Sequence, residues 1–212
     1  MLEIGVQSGG STRVWKRYFR NLTDYIGLDI DPRCRMFQSP TEGINIVTGS
    51  QLDTALLLNL CKQYGPFDLV IDDGGHENEM MQVSLKSLWN CMEDDGVYVI
   101  EDLHAINMGK IKPGATNIFH EIADWMQVRS PGVKEITQDA VKTQPAGHLK
   151  KLAFSDSIMF LHYGSNVPGL TKSRIKKGDH WLMGPRTGRV NPKTEVLLSD
   201  WCQECCIGCY DN

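Results

Sequence analysis

Two short stretches hold most of the residues able to do chemistry. Ile71-Asp72-Asp73-Gly74-Gly75-His76 and Tyr98-Val99-Ile100-Glu101-Asp102 each run from apolar residues into carboxylates. If the two runs are neighbouring strands, their tips gather four acids: Asp72, Asp73, Glu101 and Asp102. Uncompensated, such charges repel and raise one another's pKa values. A hard divalent cation with oxygen ligands relieves that conflict, and Mg²⁺ suits a site that also keeps waters or substrate oxygens. The competing reading makes one or two of the acids helix caps or ion-pair partners. His76 lies three residues past Asp73 on the same loop. An imidazole there can accept a proton from a hydroxyl near neutral pH; on its own it is as readily a capping or surface residue.

A third stretch opens the chain: Leu2-Glu3-Ile4-Gly5-Val6-Gln7-Ser8-Gly9-Gly10-Ser11. Leu2, Ile4 and Val6 read as a buried strand that breaks at glycines. Ser11 is a good N-cap, and Val14, Trp15, Tyr18 and Phe19 then recur at helical spacing and are expected to pack back on a sheet. Strand, glycine turn and helix start bring a nucleotide close to backbone N–H groups. The glycine spacing departs from Gly-x-Gly-x-x-Gly, which weighs against a nicotinamide dehydrogenase. An ordinary strand-to-helix loop is the plainer alternative. Asp29 closes the next apolar run, where a carboxylate can accept both hydroxyls of a ribose; otherwise it is a turn or cap residue. Asp31, before Pro32, is the more ordinary turn residue.

The elements that must position these residues follow in alternation. Strands are expected at 25–29, 44–47, 67–72 and 97–102, and helices from Leu52 to Tyr64, around Met81, Leu85, Leu88 and Met92, and around Phe119, Ile122, Ala123 and Met126. Asp95-Gly96 reads as the turn into the fifth strand. Such a rhythm argues for an α/β fold, a mostly parallel sheet covered on both sides. Leu149–Ala153 and Ile158–Tyr163 flank Ser155-Asp156 and predict a closing antiparallel hairpin. Residues 129–148, with Pro131-Gly132 and Pro145-Ala146-Gly147, read as a long loop of the kind that often forms a lid.

At 212 residues with 41% hydrophobic and 23% charged content, the chain is long enough for one sizeable core. The net charge of −4 gives no reason to expect nucleic acid. No apolar run approaches membrane-spanning length, and no basic segment with a signal-type core opens the sequence. The seven cysteines lack the pattern of a secreted disulfide framework, so a cytoplasmic protein with mostly reduced thiols is expected. Residues 1–163 form the expected domain and 164–212 a basic, Cys-rich tail. From Ser165 to Lys193, Lys172, Arg174, Lys176, Lys177, Arg186, Arg189 and Lys193 face only Asp179. A solvated tail is the plain reading, an anion-binding surface the sharper one. Cys202, Cys205, Cys206 and Cys209 sit too close together to wrap a tetrahedral zinc easily, and read as a reduced or oxidised tail.

The first stretch resembles the first motif of class I S-adenosylmethionine-dependent methyltransferases, and Gly27-Leu28-Asp29-Ile30-Asp31-Pro32 resembles their second. Gly49-Ser50-Gln51-Leu52-Asp53 resembles their adenine-side motif. Within that superfamily, the two carboxylate stretches and the hairpin Leu149–Ile158 are most similar to the metal-dependent macrolide sugar O-methyltransferases of mycinamicin and macrocin type. The resemblance implies a Rossmann-like doubly wound seven-stranded sheet with an antiparallel C-terminal hairpin. It also implies S-adenosylmethionine and Mg²⁺ as cofactors, and methyl transfer to a hydroxyl of a sugar or similar polyol. Gly5 and Gly9 would lie under the methionine part of the cofactor, Glu3 near its amino group, Asp29 on its ribose, and Ser50 and Gln51 beside its adenine. Ser11 and Asp72 belong to the same surroundings. Asp73, Glu101 and Asp102 would hold the metal, and His76 takes the position of the general base. A register slip of one would exchange Asp72 with Asp73. A cephalosporin hydroxylase-like protein and an inactive cofactor-binding fragment share the same motif set. Gly75 stands where Ser is common, and only Met1 precedes Leu2 where relatives carry a covering segment. A form that binds cofactor but methylates slowly or not at all by itself is therefore expected. The expected partner is a small-molecule hydroxyl substrate, with no nucleic acid or membrane, the chain acting alone or as a homo-oligomer.

Overall fold

The computed structural model describes residues 1–108, 117–127 and 148–164. Seven strands form one sheet: β1 (Leu2–Ile4), β2 (Tyr25–Asp29), β3 (Ile44–Thr48), β4 (Phe67–Asp72), β5 (Met92–Ile100), β6 (Leu149–Ser155) and β7 (Ile158–Tyr163). Their order is β3-β2-β1-β4-β5-β7-β6. The first five are parallel, and β7 runs antiparallel to both β5 and β6. The chain winds outward from β1 through β2 to β3, then restarts on the other side of β1 with β4. A doubly wound sheet opens a crevice at that switch point, outside the carboxyl ends of the strands. The expected α/β architecture and its closing hairpin are both present.

Period-two alternation sorts the strand residues onto two faces. Leu2, Ile4, Ile26, Leu28, Val70, Tyr98 and Ile100 face a large core under α2 (Thr54–Tyr64), α3 (Asn78–Leu88) and α4 (Ile118–Gln127). Tyr25, Ile44, Ile46, Ile71 and Val99 face a smaller core on the side of α1 (Gly10–Tyr18). Helix α2 begins at Thr54 because Asp53 caps it, accepting Leu56 N–H at 3.0 Å. Leu57 and Leu60 of that helix are fully buried, whereas Leu58 is 51% exposed.

Three details depart from the sequence reading. Asp95-Gly96 does not start the fifth strand: β5 begins at Met92 and absorbs that pair as an irregularity opposite Phe67 and Leu69, with Asp95 at φ 64°. Such bulges let a strand continue past residues that would otherwise turn it. On α1, Gly9 rather than Ser11 is the N-cap, and Val14 and Tyr18 point outward while Trp15 and Phe19 pack on the sheet. Finally, Cys61 and Cys91 form a disulfide with Cα atoms 5.6 Å apart, so the expectation of reduced thiols fails for this pair. Their separation of 30 residues hides a proximity that arises because α2 and the turn after α3 pack on the same sheet face. The basic stretch, the four clustered cysteines and most of the expected 129–148 loop lie outside the described residues. Among the described residues no helix is long and apolar enough to cross a membrane.

Packing of one face of α2 on the sheet makes neighbouring leucines unequal. Leu57→Ala should cost about 2–5 kcal/mol of unfolding free energy through transfer and cavity terms. Leu58→Ala, one position along the same helix, should change stability by only about 0.5 kcal/mol. Urea unfolding of both variants checks this, and equal losses would contradict the assigned burial.

Candidate functional site

Register places the chemistry. Ile4 pairs with Leu28 on one side and Asp72 on the other, and Asp72 pairs with Ile100. The next residue on each strand therefore falls in one row: Asp29, Gly5, Asp73 and Glu101. Asp29 pairs with Thr48, which sets Gly49 and Ser50 at the end of that row. Gly5 has φ +96°, and a Cβ there would stand 2.0 Å from the Asp73 carbonyl oxygen. Only glycine lets these two strand ends approach so closely.

Beyond the row opens a cleft of about 390 Å³, a volume suited to a small ligand. Gly5, Gln7, Leu28, Asp29, Ile30, Ser50 and Gln51 line one part, and Asp73, Gly74, Gly75, His76, Met80 and Asp102 the other. Asp29 accepts backbone N–H groups of Val6, Gln7 and Asp31, each at 2.8 Å. Its partial burial opposes ionisation, but those three donors outweigh it and hold the carboxyl below its ordinary value.

At the other end, His76 Nε2 stands 3.9 Å from Asp73 Oδ1 and 3.7 Å from Asp102 Oδ2. Ligand atoms of Asp73, His76 and Asp102 all lie within 4.8 Å of one another, the spacing of a metal-binding group. Among the described residues the His76 Nδ1 is buried without a hydrogen-bond partner, and both His76 and Asp102 are held at positive φ, 56° and 51°. Burial pushes the Asp73 carboxyl up and the Asp102 charge adds to that, against the opposing pull of His76. Burial likewise raises Glu101, helped by the charges of Asp73, Asp102 and Glu3. Glu101 belongs to this electrostatic cluster without lining the cleft. The turn between β6 and β7 braces the loop: Leu103 N–H donates to Ser157 O at 2.9 Å, and His104 N–H to Ser157 Oγ at 2.9 Å.

Four expected site residues, Glu3, Gly9, Ser11 and Asp72, do not line the cleft. Glu3 alternates away from Leu2 and Ile4 to lie under α1, 2% exposed. There it accepts Ser11 Oγ and Trp15 Nε1 at 3.0 Å each, and the Tyr25 hydroxyl. Burial raises its pKa despite these donors. Ser11 is thus a partner of Glu3, and Gly9 lies against the Phe37 ring. Asp72 alternates toward α3 and is buried, accepting from Gln51 Nε2 at 3.1 Å, from Ser84 Oγ and from the Tyr98 hydroxyl at 3.4 Å. Asp73 thus lines the cleft and Asp72 does not. Ser84 and Tyr98 escaped the sequence reading, though a serine between Met81, Leu85 and Leu88 on an apolar stripe was a visible signal.

Residues 2–103, which hold both ends of this cleft, match the family model described as a methyltransferase domain. Over those residues this chain is similar to a methyltransferase domain. Among curated relatives, it is 40% identical to mycinamicin VI 2''-O-methyltransferase of Micromonospora griseorubida, over 84% of this chain and 45% of that protein. It is 41% identical to demethylmacrocin O-methyltransferase of Streptomyces fradiae, over 49% of this chain and 27% of that protein. The chain thus spans less than half the length of these relatives. Among solved structures, MycE methyltransferase from the mycinamycin biosynthetic pathway, in complex with Mg, SAH and mycinamycin VI, superposes with TM-score 0.67 at 27% identity. That match covers 79% of this chain and 45% of MycE.

Asp29 ties the glycine turn to β2, and this tie depends on its charge. A carboxyl whose folded pKa lies below its unfolded one contributes fully above the unfolded value, and the contribution disappears as pH falls through the folded value. Wild-type stability should therefore drop as pH is lowered below about 4, near the unperturbed carboxylate pKa. An Asp29→Asn variant should be less stable at neutral pH and lose less over the same acid range. Urea titrations at several pH values check this; parallel pH dependence in the two proteins would contradict it.

Proposed function

We propose that this protein transfers a methyl group from S-adenosylmethionine to a hydroxyl of a sugar or comparable polyol, with Mg²⁺ at the carboxylate cluster. The observation that carries this reading is the single cleft joining the Asp29 anchor to the Asp73–His76–Asp102 cluster. Similarity to MycE, whose structure holds Mg and SAH, supports the same assignment. The donors fit the metal: Asp73, Asp102 and Glu101 offer hard oxygens, and their mutual repulsion is what a divalent cation offsets. Mg²⁺ prefers oxygen to imidazole. His76 is then left free to act as a base rather than as a ligand.

Gly5, Asp29 and Ser50 are the cofactor contacts in this reading, with Asp29 accepting the ribose hydroxyls on its open lone pairs. Glu3, Gly9, Ser11 and Asp72 support that surface from below. S-adenosylmethionine supplies an electrophilic methyl on a sulfonium sulfur, and Mg²⁺ supplies positive charge beside the substrate oxygen. Asp73 and Asp102 orient the acceptor hydroxyl toward the cofactor end of the cleft. His76 Nε2 would receive the hydroxyl proton, freeing the oxygen electron pair to take the methyl group that bound S-adenosylmethionine would supply, with S-adenosylhomocysteine as the leaving group. Bringing both reactants into one crevice provides much of the rate.

Calorimetry should give micromolar binding of S-adenosylhomocysteine to the wild type and a marked loss in Asp29→Ala. With labelled S-adenosylmethionine and a panel of glycosides, methyl transfer should stop in EDTA and return with Mg²⁺. His76→Ala should lower kcat by about 10²–10⁴-fold, the range for a positioned acid–base group. Undiminished transfer in chelator would exclude the metal, a normal rate in His76→Ala would exclude the base, and preference for NAD would overturn the class.

A further inference from the structure

The buried polar network around Asp72 has one member that also lines the cleft. Gln51 is 6% exposed, and its side-chain amide bridges two separate features. Its Oε1 accepts Gly75 N–H at 2.7 Å, and its Nε2 donates to Asp72 Oδ1 at 3.1 Å. Chemistry dictates this orientation, because a backbone N–H only donates and a carboxylate only accepts. Asp72 is in turn fixed by Ser84 Oγ and the Tyr98 hydroxyl. Gly75 directly precedes His76 and follows Asp73 by two residues, and Asp73 and His76 are the two cluster residues on this loop. The near end of the loop is pinned by Asp73 N–H to Ile4 O at 2.9 Å. Its far end carries His76 at φ 56°, a conformation that surroundings must impose on a residue with a side chain.

We propose that Gln51 is a positioning residue for the metal side of the cleft, not an adenine contact. Its amide clamps Gly75 against the buried Asp72 and so sets Asp73 and His76 relative to Asp102. The proposal rests on the methyltransferase reading above, and on an amide whose two ends are already engaged. Gly74 completes the clamp: a Cβ there would stand 2.2 Å from Gln51 Oε1 and 3.0 Å from Ile4 Cγ2. Partners that orient metal-binding residues from behind typically matter 10–100-fold for affinity.

The test compares metal and cofactor affinity in the whole chain. Mn²⁺ binding is followed by electron paramagnetic resonance in saturating S-adenosylhomocysteine. S-adenosylhomocysteine binding is followed by calorimetry, and folding by thermal unfolding. Gln51→Met keeps the side chain's length and removes both polar ends. Gly74→Ala leaves Gln51 intact and drives its amide from Gly75. Each variant should bind Mn²⁺ about 10–100-fold more weakly, with S-adenosylhomocysteine affinity close to wild type. If Gln51→Met proves too unstable to measure, Gly74→Ala decides alone. Loss of S-adenosylhomocysteine affinity with Mn²⁺ affinity retained would make Gln51 an adenine contact and overturn the proposal. Unchanged affinities, or equal losses of both, would overturn it as well. A wild type that binds neither probe would remove the methyltransferase reading and this inference with it. A wild type that binds both separates the two.

Discussion

Parallel register is the constraint on which the rest of this molecule depends. Because Ile4 stands level with Leu28 and Asp72, and Asp72 with Ile100, four strand ends deliver Asp29, Gly5, Asp73 and Glu101 to one row. A shift of one residue in β4 would turn Asp73 into the core and Asp72 into the cleft, since strand side chains alternate with a period of exactly two residues. The apolar neighbours forbid that shift. Val70 and Tyr98 belong to the large core, and Ile71 and Val99 to the small one. Hydrophobic burial thus fixes which carboxylates meet solvent, although no carboxylate contributes to that burial.

The acids fall into two sets with opposite electrostatics. Glu3 and Asp72 are buried and surrounded by donors, Ser11, Trp15 and Tyr25 for one, Gln51, Ser84 and Tyr98 for the other. Buried polar groups survive when every lone pair finds such partners. Asp73, Glu101 and Asp102 form the other set: burial raises the pKa values of Asp73 and Glu101, and neighbouring carboxylate charge adds to the rise in both. The buried set holds the backbone from which the open set projects. Asp72 O accepts Glu101 N–H at 3.0 Å, so even the spacing between the two carboxylate strands passes through the buried residue.

Much of this was legible in the sequence. Alternating apolar runs and helical stripes announced the doubly wound sheet, and the strand tips announced the residues that could gather there. What sequence periodicity could not supply was direction within a tip. Glu3 and Ser11 lie in a motif that normally surrounds a cofactor, yet alternation along β1 turns Glu3 under α1, where Ser11 meets it. Gln51 lies next to Ser50 in sequence, but its amide reaches beneath the cleft to Gly75. The Cys61–Cys91 pair illustrates the same limit, because helix packing, not spacing, brings these thiols together. Asp95-Gly96 carries every local sign of a turn, and pairing of β5 with β4 overrides it.

The central claim is that one cleft holds the methyl donor and the metal side by side, at adjacent strand ends. Paramagnetic broadening tests it most directly: the nuclear magnetic resonance signal of the S-methyl group of bound S-adenosylmethionine, with Mn²⁺ in place of Mg²⁺. The account predicts that Mn²⁺ broadens the methyl signal strongly, that EDTA restores it, and that Asp73→Ala abolishes the effect while the cofactor stays bound. A sharp methyl signal with both ligands demonstrably bound would place them in separate sites and contradict the account.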